Sequence, residues 1–447
     1  MQRYAERSVS QAEWLGYLPS HWECKKIGSL FTERKAKVSD QDYAPLSVTK
    51  MGILPQLEHA AKSNDGDNRK LVCAGDFVIN SRSDRKGSCG VSELDGSVSL
   101  INLILTPRGQ WNHRYVHYLL RSQPFSEEYY RNGRGIVADL WTTRYSEMKS
   151  ILLPVPPRDE QDQIVQFLDW KVSSINKLIH IKQKEIDELK ALKSTVISKV
   201  VTQGLNPIVE TKPTGIEWLP QIPEHWDVWR NKHVFTEQKE IVGSNLDQYV
   251  LLSLTLRGIL PRDVNAGGKF PSSFENYKIV MKGDVAFCLF DIDETPRTVG
   301  FSEYDGMLTG AYTIMKVHDS NPRYVFYYYL ALDNQKALRP LYSGLRKTIN
   351  IDRFQGIKLP VPPRAEQDQI VRFLEQRTSQ ITKLVEIKQT EIQGLHDLKT
   401  RLIADVVTGQ MDIRNITVPE YEYVEDTADD GREEESEAKE GFYGEEE

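Results

Sequence analysis

The stretch LPVPPRDEQDQIVQFL, from Leu153 to Leu168, occurs again almost unchanged as LPVPPRAEQDQIVRFL from Leu359 to Leu374. Segments before it recur as well. EWLGYLPSHW from Glu13 matches EWLPQIPEHW from Glu217, and YAPLSVTKMGILP from Tyr43 matches YVLLSLTLRGILP from Tyr249. A repeat of about 200 residues indicates a duplicated domain, because the units of solenoid proteins have only about 20 to 50 residues. A chain of 447 residues has room for two such copies.

A long helix follows each of the two matching stretches. From Glu160 to Val201 and from Glu366 to Val407 there is no proline, and Gly394 is the one glycine. Apolar residues recur at three- and four-residue steps or their multiples in both segments, at Ile164, Leu168, Ile175, Leu178, Leu189, Leu192, Val196 and Val200 and, 206 residues later, at Ile370, Leu374, Ile381, Leu384, Leu395, Leu398, Leu402 and Val406. Such a helix is about 60 Å long, so we expect each to bury its stripe against the other copy. Lys182 and Lys388 interrupt the stripes at equivalent places and predict a stutter.

The segments before the helices have a different character. Residues 20–155 and 226–361 alternate short β-rich runs, such as DFVIN and YTIMKV, with turn residues and a few helical stretches such as RYVHYLLRS. This pattern predicts a mixed α/β (α+β) globular domain in each copy.

The net charge of −7 is unevenly distributed along the chain. Residues 411–447 hold 15 acidic and three basic residues, whereas residues 1–410 hold 54 basic and 49 acidic residues. The body is therefore mildly basic, and the tail is expected to be disordered, either as a solubilising appendage or as an acidic mimic that discourages loose phosphate binding. Four scattered cysteines and the lack of a long apolar segment predict a cytoplasmic protein with no disulfide framework, metal site or membrane span.

The order of domain, long helix, domain, long helix, with LPVPPRxEQxxIV at each junction and EWLxxxPxHW opening each copy, resembles the specificity subunits of type I restriction-modification systems over about residues 10–410. The resemblance implies two target recognition domains, each binding one half of a bipartite double-stranded DNA sequence, separated by two long antiparallel coiled-coil helices. It also implies a protein without catalytic residues or cofactors that binds two methyltransferase subunits and, through that complex, restriction and translocation subunits. The corresponding bounds are 1–155 and 205–361 for the recognition domains (the latter with a linker), 156–204 and 362–410 for the helices, and 411–447 for the tail.

Two loops per domain are candidates for DNA contact, because Arg and Lys bind phosphates or guanine. One follows a Gly-Asp strand and the other precedes the junction. In copy two the first loop also carries Asp291, so unlike loops predict unlike half-sites, although a charged loop tip is often only solvated. The candidates are Arg82, Arg85, Lys86, Arg131, Arg134 and Arg144 in copy one, and Arg297, Arg346, Lys347, Thr348 and Asn350 in copy two, with Arg257 added from the turn that corresponds to the one holding Lys50.

Other conspicuous residues are better explained by structure. Trp14, Trp22, Trp218 and Trp226 recur beside proline, which favours core packing over base stacking, and His21 and His225 belong to the same element. Glu160, Asp162, Glu366 and Asp368 lie in the first turn of each helix, where negative charge suits the helix dipole; methyltransferase docking is a second possible use.

The sequence holds neither a P-loop pattern nor an adenine methyltransferase motif of the Asn-Pro-Pro-aromatic type. Any chemistry is therefore expected from partner subunits. The competing interpretation is a non-catalytic scaffold in which two duplicated domains bind proteins and the helices set their separation.

Overall fold

The computed structural model describes residues 3–56, 66–135, 141–206, 208–244, 248–262, 273–292, 294–344 and 346–425. The chain forms two compact units. The first consists of Met1–Gln183 together with Gln389–Asp430, and the second contains Lys184–Lys388. Each unit therefore holds one globular domain, the first part of the long helix that follows it, and the last part of the other long helix.

The first domain is built from short strands and a few helices. Its strands are β1 (Arg7–Val9), β2 (Tyr17–Pro19), β3 (Glu23–Lys26), β4 (Phe31–Glu33), β5 (Lys37–Val38), β6 (Leu46–Thr49), β7 (Gly52–Pro55), β8 (Arg69–Val72), β9 (Phe77–Asn80), β10 (Cys89–Val91), β11 (Gly96–Val98), β12 (Asn102–Pro107) and β13 (Leu152–Val155). Its helices are α1 (Ile27–Leu30), α2 (His113–Arg121), α3 (Gln123–Arg131) and α4 (Tyr145–Met148), and the first long helix is α5 (Arg158–Gln203).

The second domain repeats this architecture. Its strands are β14 (Thr211–Ile216), β15 (Leu219–Pro223), β16 (Asp227–Arg230), β17 (Phe235–Gln238), β18 (Val250–Thr255), β19 (Gly258–Pro261), β20 (Lys278–Val280), β21 (Val285–Phe287), β22 (Val299–Phe301), β23 (Gly306–Leu308), β24 (Thr313–Val317) and β25 (Lys358–Val361). Its helices are α6 (Pro322–Asn334) and α7 (Ile351–Gly356), followed by the second long helix, α8 (Arg364–Val407).

The sheet topology confirms that the two domains are copies of one fold. The central sheet of the first domain has the antiparallel order β10-β9-β12-β4, and that of the second has the equivalent order β22-β21-β24-β17. The strand before each long helix pairs with the strand after the duplicated tryptophan, as β13 with β3 and as β25 with β16. Trp22 and Trp226 are buried, as the sequence predicts.

The ends of both long helices belong to the domain cores. In the first unit Ile164 and Leu168 of α5 and Val406 of α8 share a hydrophobic cluster with Phe31 and Tyr115 of the domain. In the second unit the equivalent cluster contains Ile370 and Leu374 of α8, Val200 of α5, and the domain residues Trp226 and Tyr324. Each domain therefore needs segments of both long helices to complete its core.

Within each unit the two helical segments run antiparallel. In the first unit Lys182 pairs with Glu391 at 2.7 Å, and Asn176 accepts a hydrogen bond from Lys399 at 3.4 Å. In the second unit Lys388 pairs with Glu185 at 2.5 Å, and Lys193 donates to Thr382 at 2.9 Å. The lysines that interrupt the apolar stripes thus form ion pairs with the neighbouring helix.

The structure corrects part of the predicted stripe. Leu178 and Leu398 in the first unit, and Leu192 and Leu384 in the second, are 42 to 52% exposed. Near the domains each helix is packed on several sides. In the middle of the helices, however, each has only the other helix to pack against, and one neighbour cannot cover every apolar row. These four residues, with Ile181 and Ile387, form exposed apolar rows.

The structure also corrects the expectation for the tail. Residues 411–425 do not extend into solvent as a disordered segment: Ile413 is buried, and Ile416 and Val418 pack against the first core. The physical reason is that these aliphatic residues precede the acidic run and have an apolar surface to cover. Residues 426–447 lie outside the described residues. No helix among the described residues has the length and apolarity needed to span a membrane.

Candidate DNA interface

The junction motif fixes each domain to its long helix through side-chain hydrogen bonds. In the first unit His21 contacts Glu160 at 2.8 Å. Asn112, the N-cap of α2, donates its side chain to Asp162 at 2.6 Å and its backbone N–H to Gln161 at 3.1 Å. The hydrogen bond from Asn112 holds the pKa of Asp162 below its usual value. The second unit repeats every contact, between His225 and Glu366, Asn321 and Gln367, and Asn321 and Asp368.

Glu160 and Glu366 lie in the first helical turn as predicted, whereas Asp162 and Asp368 are the fifth residue of each helix. The side chains of all four tie the helix to the domain. This arrangement explains why the Glu-Gln-Asp part of the motif recurs unchanged, since each of these three residues has the same partner in both units. Among the described residues no group of three or more His, Cys, Asp and Glu side chains is placed to hold a metal ion.

The two candidate loops of the first domain form one surface. Thr143 donates its backbone N–H to Ser81 at 2.9 Å, and Ser83 donates to Trp141 at 3.0 Å. Thr142 also exchanges two backbone hydrogen bonds with Arg134, of 3.0 and 3.2 Å. The structure therefore brings together segments that are about 60 residues apart in sequence; residues 136–140 of the second loop lie outside the described residues.

Beside these loops lies a groove of about 660 Å³ with a strongly basic lining. Arg82 and Arg144 reach it from the two loops, and both are exposed. Three further cations line it that the sequence analysis did not single out, Lys35, Lys70 and Lys149, while Glu33 is the carboxylate among the lining residues. Five cations against one carboxylate make this groove suited to a polyanion.

Lys70 is the most enclosed of these cations. Its ammonium donates to the backbone carbonyl of Asn102 at 2.7 Å, and burial lowers its pKa. Lys35 forms an ion pair with Glu33 at 3.1 Å. These lysines lie on or beside strands that also form the core, so only the fold places them next to Arg82 and Arg144.

The remaining candidates of the first domain face a different environment. Lys86 pairs with Glu127 at 2.6 Å, and Arg131 pairs with Glu128 at 2.6 Å. Both line a separate cavity of about 590 Å³ with aromatic and acidic neighbours. Arg85 is exposed at the end of a short 3-10 turn. Because Lys86 and Arg131 are already neutralised, they are weaker candidates for phosphate binding than Arg82 and Arg144.

The second domain also joins its two candidate loops. Ile349 donates its backbone N–H to Leu289 at 2.9 Å, the counterpart of the bond from Thr143 to Ser81. Thr348 exchanges two backbone hydrogen bonds with Ser343, and Asp291 donates its N–H to the carbonyl of Arg346 at 2.8 Å. The same framework therefore presents different side chains in the two domains.

Several candidates of the second domain have roles within the fold. Arg346 pairs with Asp291 at 2.7 Å and lies over the ring of Phe290 at 5.7 Å. The half-buried Arg297 pairs with the buried Asp333 at 3.1 Å, which favours a structural role. Asn350 caps α7 by accepting from the backbone of Arg353 at 2.8 Å.

Of the remaining candidates, the half-buried Thr348 donates its hydroxyl to the carbonyl of Ser343 at 3.3 Å, whereas Lys347 and Arg257 are exposed. Lys347 lies in the turn between the bonded residues Ser343 and Thr348, at a positive φ of 45°. Arg257 lies at the tip of the hairpin β18–β19, a segment separate from the two loops.

The counterparts of the groove residues show how the two domains differ. Lys239 and Lys278 replace Lys35 and Lys70, and Lys278 again donates to a backbone carbonyl at 2.7 Å with a pKa lowered by burial. Phe290, Asn350 and Gln355 stand where the first domain has Arg82, Arg144 and Lys149. The second surface therefore keeps two cations and replaces three by apolar or neutral side chains.

Part of the second copy matches a known protein family. Residues 298–393, from just before β22 into α8, match the family model described as the type I restriction modification DNA specificity domain. A protein of Methanocaldococcus jannaschii assigned as the specificity subunit of the type I restriction enzyme MjaX is 22% identical over 93% of this chain and 99% of its own length. The MjaVIII specificity subunit of the same organism is 24% identical over 60% of this chain and 64% of its own length.

Over most of its length the chain is therefore similar to specificity subunits of type I restriction enzymes. A chain in a solved structure of a type I R-M system, described for its complex assembly and conformational transition, is similar to this chain in fold. Their TM-score is 0.64 at 14% identity, and the match covers 88% of this chain and 99% of the other. That likeness concerns the fold alone.

Proposed function

We propose that this protein recognises a bipartite DNA sequence, with one half bound by each domain, and positions the partner subunits that carry out the chemistry. The basic groove of the first domain is the observation on which the proposal rests. Its cations come from strand β8, from the ends of β4 and α4, and from both loops, as expected of a surface that follows the phosphates of a duplex while a loop reaches the base edges.

The second domain is proposed to bind a different half-site. Its framework is the same, but Phe290 and Asn350 replace two arginines of the first groove. Phosphate contacts supply affinity regardless of sequence, whereas contacts to base edges discriminate between bases. We therefore propose that the lysine pairs shared by the two domains contact the phosphate backbone of DNA, and that the divergent positions determine which bases each domain recognises.

We further propose that methyltransferase subunits dock on the exposed apolar rows of the long helices. Leu178, Ile181 and Leu398 in the first unit have Leu384, Ile387 and Leu192 as counterparts in the second. Exposed aliphatic rows at helical spacing are typical of helix-packing interfaces. Two equivalent rows suit two copies of one methyltransferase subunit. A restriction subunit would then bind through these methyltransferase subunits. The chain itself is proposed to be non-catalytic.

The decisive experiment measures DNA binding by the complex with its methyltransferase as a function of salt and of domain identity. Log-linear weakening with salt is expected, because several phosphates are neutralised. Exchanging residues 20–155 for those of a homologue should change one half of the methylated sequence only. Binding that is insensitive to salt, or an exchange that alters both halves, would favour the protein-binding scaffold instead.

A further inference from the structure

Residues 411–425, here called the strap, lie along α5 in the first unit. Gln163 donates its side chain to the carbonyl of Ile416 at 2.8 Å, and Asn176 donates to the carbonyl of Val424 at 3.1 Å. Ser173 both donates to the carbonyl of Glu422 and accepts from the N–H of Val424, at 2.9 and 2.7 Å. The helix thus supplies side-chain partners for an extended backbone.

The strap adds apolar and charged contacts to these hydrogen bonds. Ile416 and Val418 pack against the cluster that contains Phe167, which is fully buried. Glu422 pairs with Lys177 at 3.1 Å, and the ring of Tyr423 lies 5.8 Å from the guanidinium of Arg114. An acidic, partly aromatic peptide therefore fits this face of α5 over residues 163–177.

The duplicate of this face, on α8 in the second unit, has no such segment packed on it among the residues that the structure describes. Phe373, the counterpart of Phe167, is 40% exposed. Ser173 and Asn176 are 1% and 3% exposed, whereas their counterparts Ser379 and Thr382 are exposed. Part of this difference in exposure comes from Trp170, whose ring centroid lies 6.1 Å from that of Phe167. The counterpart of Trp170 on α8 is Gln376.

The uncovered face keeps the chemistry that holds the strap. Gln369, Ser379 and Lys383 are counterparts of Gln163, Ser173 and Lys177, and all three are exposed. Arg323 pairs with Glu375 at 2.9 Å, as Arg114 pairs with Asp169 at 2.7 Å in the first unit.

This face is also more basic than its duplicate. Arg372 and Arg377 are exposed on it, where α5 has Gln166 and Lys171. An acidic segment would therefore meet a complementary surface.

We propose that the face of α8 from Gln369 to Lys383 binds an extended acidic segment of a partner protein, in the manner in which α5 binds the strap. Among the described residues the acidic segment that suits such a face is the strap, which is already seated in the first unit, and that of a second copy would be seated likewise. The proposed occupant is therefore a segment of another protein. The partner segment would carry aliphatic residues for Phe373, backbone groups for Gln369 and Ser379, and a carboxylate for Lys383. This inference goes beyond DNA recognition and does not depend on it.

The test uses the full chain and a fluorescent peptide with the strap sequence MDIRNITVPEYEYVE. We expect anisotropy to show saturable binding at one site per chain. Phe373→Ser should weaken binding about tenfold, because an apolar anchor is removed from the centre of the contact. Met281→Ser is the matched control, since Met281 is also 40% exposed but lies in the domain, and should leave binding unchanged. Ser379→Ala should weaken binding by about threefold through its lost hydrogen bonds.

A photo-crosslinking group in place of Tyr421 of the peptide locates the bound site by mass spectrometry. Crosslinks within residues 369–383 support the proposal. Crosslinks within residues 163–177 would mean exchange with the strap and would overturn it, as would the absence of binding up to about 1 mM peptide. Self-association of the chain that Phe373→Ser abolishes would assign the face to a second copy instead. A failure here leaves the salt dependence of DNA binding unaffected, so it is distinguishable from failure of the proposed function.

Discussion

Replacing Arg82 and Arg144 by alanine is expected to weaken DNA binding through a loss of phosphate contacts. Both guanidinium groups line the basic groove of the first domain from two different loops. Lys86 and Arg131 line the separate cavity instead, where they pair with Glu127 and Glu128. The two pairs of cations therefore provide a variant and a matched control in one domain.

The size of the effect follows from counterion release. Each phosphate contact contributes about 0.9 to the slope of log K against log salt, so the double variant Arg82→Ala/Arg144→Ala should lose about 1.8. At about 0.1 M salt this corresponds to a loss of DNA affinity of roughly eightfold per arginine and about 60-fold for both. The loss shrinks to about twofold per arginine near 0.4 M salt. Lys86→Ala/Arg131→Ala should change the slope by less than half as much, because those charges are already paired.

The assay is fluorescence anisotropy with a duplex that carries the methylated target sequence, titrated at several salt concentrations with the methyltransferase present. Thermal unfolding of each variant confirms that the fold is retained. An unchanged slope in Arg82→Ala/Arg144→Ala, or an equal loss in the control pair, would show that the groove is not the phosphate-binding surface.

Three further outcomes are expected. Arg297→Met should lower the free energy of unfolding by about 1 to 3 kcal/mol in urea denaturation, since Asp333 stays buried with Lys336 as its remaining cation; an unaffected stability would contradict the structural role. Asp368→Asn should make the free energy of unfolding less dependent on pH in the acid range. The hydrogen bond from Asn321 depresses the pKa of the Asp368 carboxyl, which therefore stabilises the fold above its ordinary pKa of 3.8 and loses that contribution as the pH falls below it. An unchanged pH dependence would argue against this contact between the helix and the domain. Deleting about one turn from both long helices should alter the gap between half-sites but not their sequences, as methylation mapping would reveal; a constant gap would mean that the helices do not set it.

Much of the fold was predictable because duplication leaves a direct record in the sequence. The repeated junction located the starts of α5 and α8 to within two residues of Glu160 and Glu366. Gly204 and Gly409, which follow the helix ends, have the positive φ values of 77° and 69° that favour glycine. Helical periodicity and helix-stopping residues are local signals, so they can be identified in the sequence without knowledge of the tertiary structure.

The DNA-binding candidates were predictable only in part. The fold brings the two candidate loops of each domain together, which the sequence analysis did not anticipate, and the DNA contact of each residue stays a prediction. Lys35 and Lys70 were not predicted because they are far apart in sequence, one just after β4 and the other in β8. Their recurrence as Lys239 and Lys278 was the available signal. Ion pairing of Lys86 and Arg131 depends on helix α3, whose position relative to the loops is a tertiary property.

The sequence by itself determined that two copies of one α/β domain each precede a long helix, since that conclusion needs only the repeat and the helical period. Tertiary structure decided which side chains are available for binding. It buried Ile413 and seated the strap on α5, although the acidic tail suggested disorder, and it exposed Leu178 and Leu384, although the stripe suggested burial. Exposure depends on what packs against a residue from distant parts of the chain, and no local pattern records that.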